Sequence, residues 1–348
     1  MPADALLNAQ TCRRPTRLAI LGLLCLSLLA CKQQQEPGGQ GGKPLAAVAV
    51  TLCHGSVTNI LPRIALDQGY FADEGLTVTI KEMSDGKLAF NGLLQGECNF
   101  AINGAPPIVS QTDPEHANFA ILATVMADDD AARIIARRDR GITRPQDLKG
   151  KRIGVKKGII GHFFLDLFIM KHGLKPTDIT QVFMDTDQFQ AALVKGEIDG
   201  FAMTNKMINA TARNLGDEAT VFAEPGLNII YGILTTRRDI PLDLQTTPQL
   251  LKALLRAEDF ANREPAAAKA IVAKAFTLSA QEIDDVWTRT SIEVALANNL
   301  FVNLEDQYKW QVEHGVITDS PTFPNFLAVV EPSYLSAIKR GAVSVIKK

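Results

Sequence analysis

Cysteine and tryptophan are scarce in this chain. Its 348 residues include five cysteines and two tryptophans, and aromatic residues make up only 6 %. Neither sign of charge prevails: 36 Lys and Arg face 38 Asp and Glu, for a net charge of −2. The charges are scattered, so there is no basic stripe of the kind that reads nucleic acid. No apolar run reaches the roughly 20 residues that a membrane-spanning helix needs. His54 and His162 have no H-x-x-H spacing and no acidic cluster beside them, which argues against a metal site. No nucleophile–base pair, no paired catalytic carboxylates and no cofactor motif stand out, so the expectation is a protein without catalysis, metal or cofactor.

The N-terminus reads as an export signal. Arg13, Arg14 and Arg17 form a basic start, and 18–29 is an apolar run too short to span a bilayer. It ends in Leu28-Leu29-Ala30-Cys31, which resembles a bacterial lipobox. That resemblance implies a signal peptide over 1–30, lipidation of Cys31 and a periplasmic or extracytoplasmic protein anchored to a bacterial membrane. Residues 31–44 are rich in glutamine and glycine with little to bury, and read as a flexible tether. The remaining chain exceeds one ordinary core and suggests two lobes.

Cys53 and Cys98 are the only cysteines beyond the lipobox. Cys53 reads as the end of a first strand and Cys98 as the approach to a third. In parallel neighbours those points lie at opposite ends of the sheet, roughly 10 Å or more apart. A disulfide needs Cα atoms within about 7 Å, so two free thiols are expected.

One pattern occurs twice. Residues 88–104 and 188–204 each run from an apolar helical stretch through Gly-Glu (Gly96-Glu97, Gly196-Glu197) into a short apolar strand. Glycine suits the left-handed position that ends a helix. Helix–Gly–strand is half of a βαβ unit, and two copies suggest two similar α/β lobes. Strands are expected at 46–51, 76–81, 99–103, 120–126, 133–136, 152–155, 179–183, 200–203 and 228–235. Helices are expected at 62–68, 87–95, 161–172 and 189–195, and almost throughout from 248. The alternation argues for parallel sheets.

Ile64-Ala65 with Gly69-Tyr70-Phe71-Ala72-Asp73-Glu74-Gly75-Leu76 resembles the opening of nitrate/taurine/sulfonate-type solute-binding proteins. Asp147-Leu148-Lys149-Gly150-Lys151-Arg152-Ile153-Gly154-Val155 is similar to the start of their second lobe, and 193–199 to their L-x-x-G-E-x-D segment. The resemblance implies an α/β type II periplasmic-binding-protein fold of two lobes and a hinge. Lobe one would be 45–128 with 232–348, lobe two 129–231, and the hinge would lie near 126–130 and 229–233. It implies a monomer that binds a small molecule between its lobes and delivers it to ABC permease subunits, with no nucleic-acid partner. Two alternatives remain. One is an enzyme of the same fold, since pyrimidine-forming enzymes of thiamine synthesis are similar, although their cysteine-rich motif is absent here. The other is a ligand-sensing subunit of a membrane signalling system.

In an open α/β sheet, ligands bind beyond the C-terminal ends of the strands. That nominates His54, Ser56, Thr58 and Asn59 after the first strand, and Asn103, Gly104 and Ala105 after the third. Gly158, Gly161 and His162 lead into the second-lobe helix, whose N-terminus favours an anion. Thr204 and Asn205 follow a later strand, and Met126 and Asn228 stand at the crossovers. Thr58 and Asn59 serve equally well as helix caps, and Asn103 as a partner for its own turn. Lys156 and Lys157 read as a solvated pair. The family's second-lobe helix commonly opens with Gly-Ser or Gly-Thr; Gly158-Ile159-Ile160-Gly161-His162 offers no hydroxyl. A less charged, more apolar pocket follows, for a small polar or weakly anionic organic molecule with an apolar part. Both tryptophans lie in the C-terminal helices, so a sugar is not expected.

Overall fold

The computed structural model describes residues 47–55, 59–111, 113–239, 246–318 and 322–345. The leader, Cys31, the tether, Ser56 and Thr58 lie outside the described residues. Within 45–348, a single compact unit, the strands form two sheets.

The first run of chain comprises β1 (Val48–His54), α1 (Ile60–Asp67), α2 (Tyr70–Asp73), β2 (Leu76–Glu82), α3 (Gly86–Leu94), β3 (Phe100–Asn103), α4 (Ala105–Val109) and β4 (Ala120–Asp128). The second comprises β5 (Ala132–Arg137), β6 (Arg152–Val155), α5 (Ile160–Lys171), β7 (Thr180–Phe183), α6 (Phe189–Lys195), β8 (Gly200–Thr204), α7 (Asn205–Leu215) and β9 (Ala219–Phe222). The chain then returns through β10 (Ile230–Thr236), α8 (Thr246–Arg263), α9 (Pro265–Phe276), α10 (Ala280–Arg289), β11 (Thr290–Ser291), α11 (Asn298–Glu313) and α12 (Ser333–Ile338).

One sheet has the order β11-β4-β10-β3-β1-β2, the other β7-β6-β8-β5-β9. The two repeat one arrangement. β1 pairs parallel with β2 and β3, as β6 does with β7 and β8. An antiparallel strand then joins each trio: β10 beside β3, and β5 beside β8. The sheets are therefore mixed, not wholly parallel: β10 and β11 in one sheet and β5 in the other run against the trios, while β4 and β9 run with them. α7, β9 and β11 escaped the sequence reading. β9 and β11 span only four and two residues, and α7 is too polar on its outer face to stand out.

The doubled Gly-Glu motif is the same helix stop in both sheets. Gly96 and Gly196 are left-handed, at φ 81° and 73°. The Gly96 and Glu97 N–H groups donate to the carbonyls of Leu93 (3.0 Å) and Gly92 (2.8 Å), and those of Gly196 and Glu197 to Leu193 (3.2 Å) and Ala192 (2.9 Å). This is a Schellman cap, which closes the last free carbonyls of a helix. It turns α3 into β3 and α6 into β8.

The helices cover both faces of the second sheet. Phe164 and Phe168 of α5 pack on one side, and Phe189 of α6 with Ile208 of α7 on the other. The first sheet carries the larger core, to which the C-terminal helices contribute Leu250, Leu254, Leu300 and Leu304.

The expectation of two free thiols is wrong: Cys53 and Cys98 are joined in a disulfide, with Cα atoms 6.0 Å apart. β1 runs on to His54, so Cys53 lies inside the strand, opposite Ala101. The chain does not reach β3 along the strand axis either. The Asn99 amide is fixed beside Thr51 (Asn99 N to Thr51 O 2.9 Å), and Cys98 drops in from α3, where both sulfurs lie within 4 Å of a Cβ position on Gly92. The two cysteines are 45 positions apart; a loop of that length implies roughly 4 kcal/mol of stabilisation on the chain-entropy account. Thiol labelling of unreduced, unfolded protein should therefore leave Cys53 and Cys98 unmodified. A Cys53→Ser, Cys98→Ser double variant should melt several degrees lower, and an unchanged melting temperature would contradict that stabilisation.

Candidate functional site

A cleft of about 950 Å³ opens between the two sheets, at the C-terminal ends of the parallel strands. This follows from topology. Strands of a parallel trio end on one side, and the helices that follow begin there. α1, α3, α5 and α7 each contribute residues of their first turn or cap to the wall, among them Asn59, Asp85, Ile160 and Asn205. A helix N-terminus carries partial positive charge and unpaired N–H groups. Asp85 caps α3 through the Leu88 amide (2.9 Å). The cap residues Asn59, Ile159 and Thr204 make no side-chain cap bond, although the first N–H of α7 already donates to the Ala131 carbonyl (3.1 Å) and the His162 N–H of α5 to that of Ile159 (3.0 Å).

The charged lining leans the same way. Lys87, Lys156, Lys157, Lys206 and Arg289 face three carboxylates, Glu82, Asp85 and Asp128. Each carboxylate is already engaged. Glu82 pairs with Arg63, Asp85 caps α3, and Asp128 pairs with Arg289. The uncharged lining mixes polar side chains with an apolar part, which has four methionines (Met83, Met126, Met203, Met207) and the rings of Tyr231 and Phe276. Neither Trp287 nor Trp310 is on it. Among the described residues, no group of three His, Cys, Asp or Glu side chains is placed to hold a metal ion.

Of the residues nominated from sequence, His54, Asn59, Asn103, Gly104, Met126, Gly158, Thr204 and Asn205 line the cleft. Asn103 is committed to its own strands: its amide donates to the Gly104 carbonyl (3.0 Å) and accepts from the Thr235 hydroxyl (2.9 Å). His54 is buried, 3.3 Å from the Arg63 guanidinium and edge-on to Phe276. Lys156 and Lys157 also line the cleft, although Lys156 pairs with Asp185 and Lys157 donates to the Gly315 carbonyl (2.8 Å).

Four nominations fail on position. Ala105 opens α4 but faces the core, and the adjacent Pro106 and Pro107 reach the cleft instead. Gly161 is a packing glycine: a Cβ there would fall 2.2 Å from the Ala202 carbonyl, where α5 crosses β8. Asn228 is buried in the second crossover, off the wall.

His162, the fourth, sits behind α5 at 1 % exposure. Its Nδ1 accepts the Gly158 N–H (3.3 Å), so its Nε2 donates to Gln181 Oε1 (3.0 Å). Gln181 in turn donates to Asp166 (2.8 Å). The same carboxylate accepts from the Trp310 indole (2.9 Å) and lies 2.9 Å from His314 Nε2. Both belong to the end of α11, so this network joins α5 and β7 of one sheet to a helix packed on the other.

Sequence reasoning missed Tyr231, Phe276, Asp128, Arg289 and three of the methionines. Phe276 and Arg289 come from the helical tail, Arg289 lying 161 positions from Asp128, and nothing local marks them.

A family model described as NMT1/THI5 like matches residues 58–268. The chain belongs to the NMT1/THI5-like family. Similar proteins include the taurine-binding periplasmic protein of Escherichia coli (strain K12), 25 % identical over 170 residues, 48 % of this chain and 52 % of that protein. Another is the 4-amino-5-hydroxymethyl-2-methylpyrimidine phosphate synthase of Aspergillus parasiticus, 25 % identical over 221 residues, 59 % of this chain and 63 % of that one. The match to a Brucella abortus (strain 2308) relative spans 66 % of its length, so the chain covers less than two thirds of these relatives. The periplasmic aliphatic sulphonate binding protein SsuA of Escherichia coli superposes with a TM-score of 0.65 at 18 % identity, over 78 % of this chain and 94 % of that one. The fold is thus the type II periplasmic-binding-protein fold. In this NMT1/THI5-like chain the start of α5 contributes Gly158, Ile159 and Ile160 to the cleft, and His162 does not line it.

Burial lowers the His162 pKa below the usual 6.5, against the pull of Asp166. A histidine that stays neutral when folded but protonates when unfolded favours unfolding as pH drops below its unfolded value. Stability should therefore fall on acidification below pH 6.5. His162→Gln should flatten that acid limb in melting curves; an unchanged pH slope would show that His162 does not titrate in this way.

Proposed function

We propose that the chain is an extracytoplasmic solute-binding lipoprotein that encloses a small organic molecule between two lobes and delivers it to an ABC importer. The molecule is polar or weakly anionic at one end and apolar along its body. The observation that carries this reading is the cleft itself. Helix starts without side-chain caps and a lining with five cations to three carboxylates favour an acceptor or an anion, while methionine, Tyr231 and Phe276 offer an apolar wall. The volume suits a small-molecule site. The lobes would comprise 45–128 with 232–348, and 129–231, turning on the crossover segments. Proteins named as taurine- and sulphonate-binding share the family or the fold, which supports the same role.

The similarity to a phosphate synthase keeps an enzymatic reading in view. Against it, the thiols nearest the cleft are tied to one another, and no nucleophile, base and orienting group are brought together on the wall.

Calorimetry against a library of small acids, amines and neutral polar molecules should find at least one that binds. X-ray scattering should then show a smaller radius of gyration at saturation, as hinge closure requires. A bound solute recovered chemically altered would favour the enzyme instead. For the anchor, Cys31→Ala should move the protein from the membrane fraction to the soluble one, and unchanged membrane retention would refute lipidation at that residue.

A further inference from the structure

One cation on the cleft wall is held unlike the rest. Arg289 ends α10, and its side chain is 11 % exposed. Its Nε donates to Asp128 Oδ2 at 3.0 Å, and Asp128 is fully buried, its other oxygen taken by the Asp130 amide (3.0 Å). The two Nη atoms have no protein partner among the described residues, and the side chain lines the cleft. A guanidinium is a rigid fork suited to bidentate contact with an acid. Here one edge is braced and the other is unfilled.

A second unfilled group lies close by. Asn205 is 3 % exposed. Its amide nitrogen donates to the Asp130 carbonyl and its backbone N–H to Ala131 (3.1 Å), which fixes the amide orientation. Its Oδ1 is buried without a hydrogen-bond partner, and the residue lines the cleft. An unpaired buried acceptor is costly. Both residues are thus pinned to one stretch of chain, 128–131, whose ends are separated by at most roughly 11 Å.

Resting on the solute-binding reading above, we propose that Arg289, braced by Asp128, anchors the acidic group of the ligand, and that Asn205 accepts a hydrogen bond from an N–H or O–H on the same molecule. The ligand class is an amino- or hydroxy-substituted organic acid with an apolar body, which lies along the methionines. A neutral molecule leaves the Arg289 fork desolvated and unmet, and an acid with no donor leaves Asn205 unmet. Both contacts fall on the first crossover segment, so the head group is read at the hinge.

The test pairs each probe with a control. Amino- and hydroxy-substituted aromatic and aliphatic carboxylic and sulfonic acids are screened by thermal shift and calorimetry beside their neutral amides and sulfonamides. Acids should bind and their neutral counterparts should not. Arg289→Gln should weaken the best acid at least about tenfold, the loss expected for one charge-assisted hydrogen bond. Asp128→Asn offers one acceptor where two donors converge, so it loosens the brace and should weaken the best acid by less than Arg289→Gln does. The double variant Asp128→Asn, Arg289→Gln keeps a neutral hydrogen-bonded pair and controls for folding; it should bind as weakly as Arg289→Gln. Removing the donor from the probe should cost affinity in the native protein and nothing further in Asn205→Ala. Equal binding of acid and amide, native affinity in Arg289→Gln, or equal weakening in Asp128→Asn and Arg289→Gln would overturn the anchor. Binding of neutral molecules alone would leave the solute-binding reading standing and remove the anchor. Binding of nothing in either set would remove both.

Discussion

One buried carboxylate ties the two sheets together away from the crossovers. Asp166 receives the Gln181 amide from its own sheet and the Trp310 indole from α11. Isolated in a protein interior, such a carboxylate would be strongly unfavourable. It is tolerable only where these donors surround it, so α11 has a defined seat on α5. The Lys157 bond to Gly315 and the contact of Val316 with Gly158 extend that seat into the cleft wall. The shape of the wall at the start of α5 is therefore set in part from behind, by Asp166, Gln181 and Trp310, which do not line the cleft.

Much of the architecture was legible because it rests on local rules. The Gly-Glu helix stops, the apolar strand runs and the Gly69–Gly75 turn all act within about ten residues, and a periodic pattern exposes them. The cleft was legible for a related reason: strand order within a parallel trio fixes which loops share a side. Asn59, Thr204 and Asn205 fall where that rule puts them. The rule failed at Ala105 and His162 because it locates a loop and not the direction of a side chain, and at Gly161 because that position is filled by the approach of β8. α5 begins one residue earlier than its pattern suggests, and His162 belongs to the face that packs against Trp310.

What stayed hidden depends on distant contacts. The Cys53–Cys98 bond turns on how a chain arrives at a strand, which no periodicity encodes. Arg289 lies in the helical stretch from 248, and nothing in its local sequence marks it. Only the docking of α10 beside β4, through β11 and Asp128, turns it inward. Trp310 was read as one of two residues in a helical tail with no assigned part, yet it is the donor that the buried carboxylate requires.

The methionine-rich wall divides the labour of recognition. Methionine is unbranched, and its thioether conforms to many shapes at little cost. Met83, Met126, Met203 and Met207 therefore make a pliable lining, one that on the proposed function would rearrange around a guest's hydrocarbon. The polar groups are stiff, since Asn205 and the Asp128 brace are fixed by buried hydrogen bonds. A site so constructed is forgiving about the contour of what it holds and exacting about its polar terminus. Homologous series that share one functional group should look nearly alike to it.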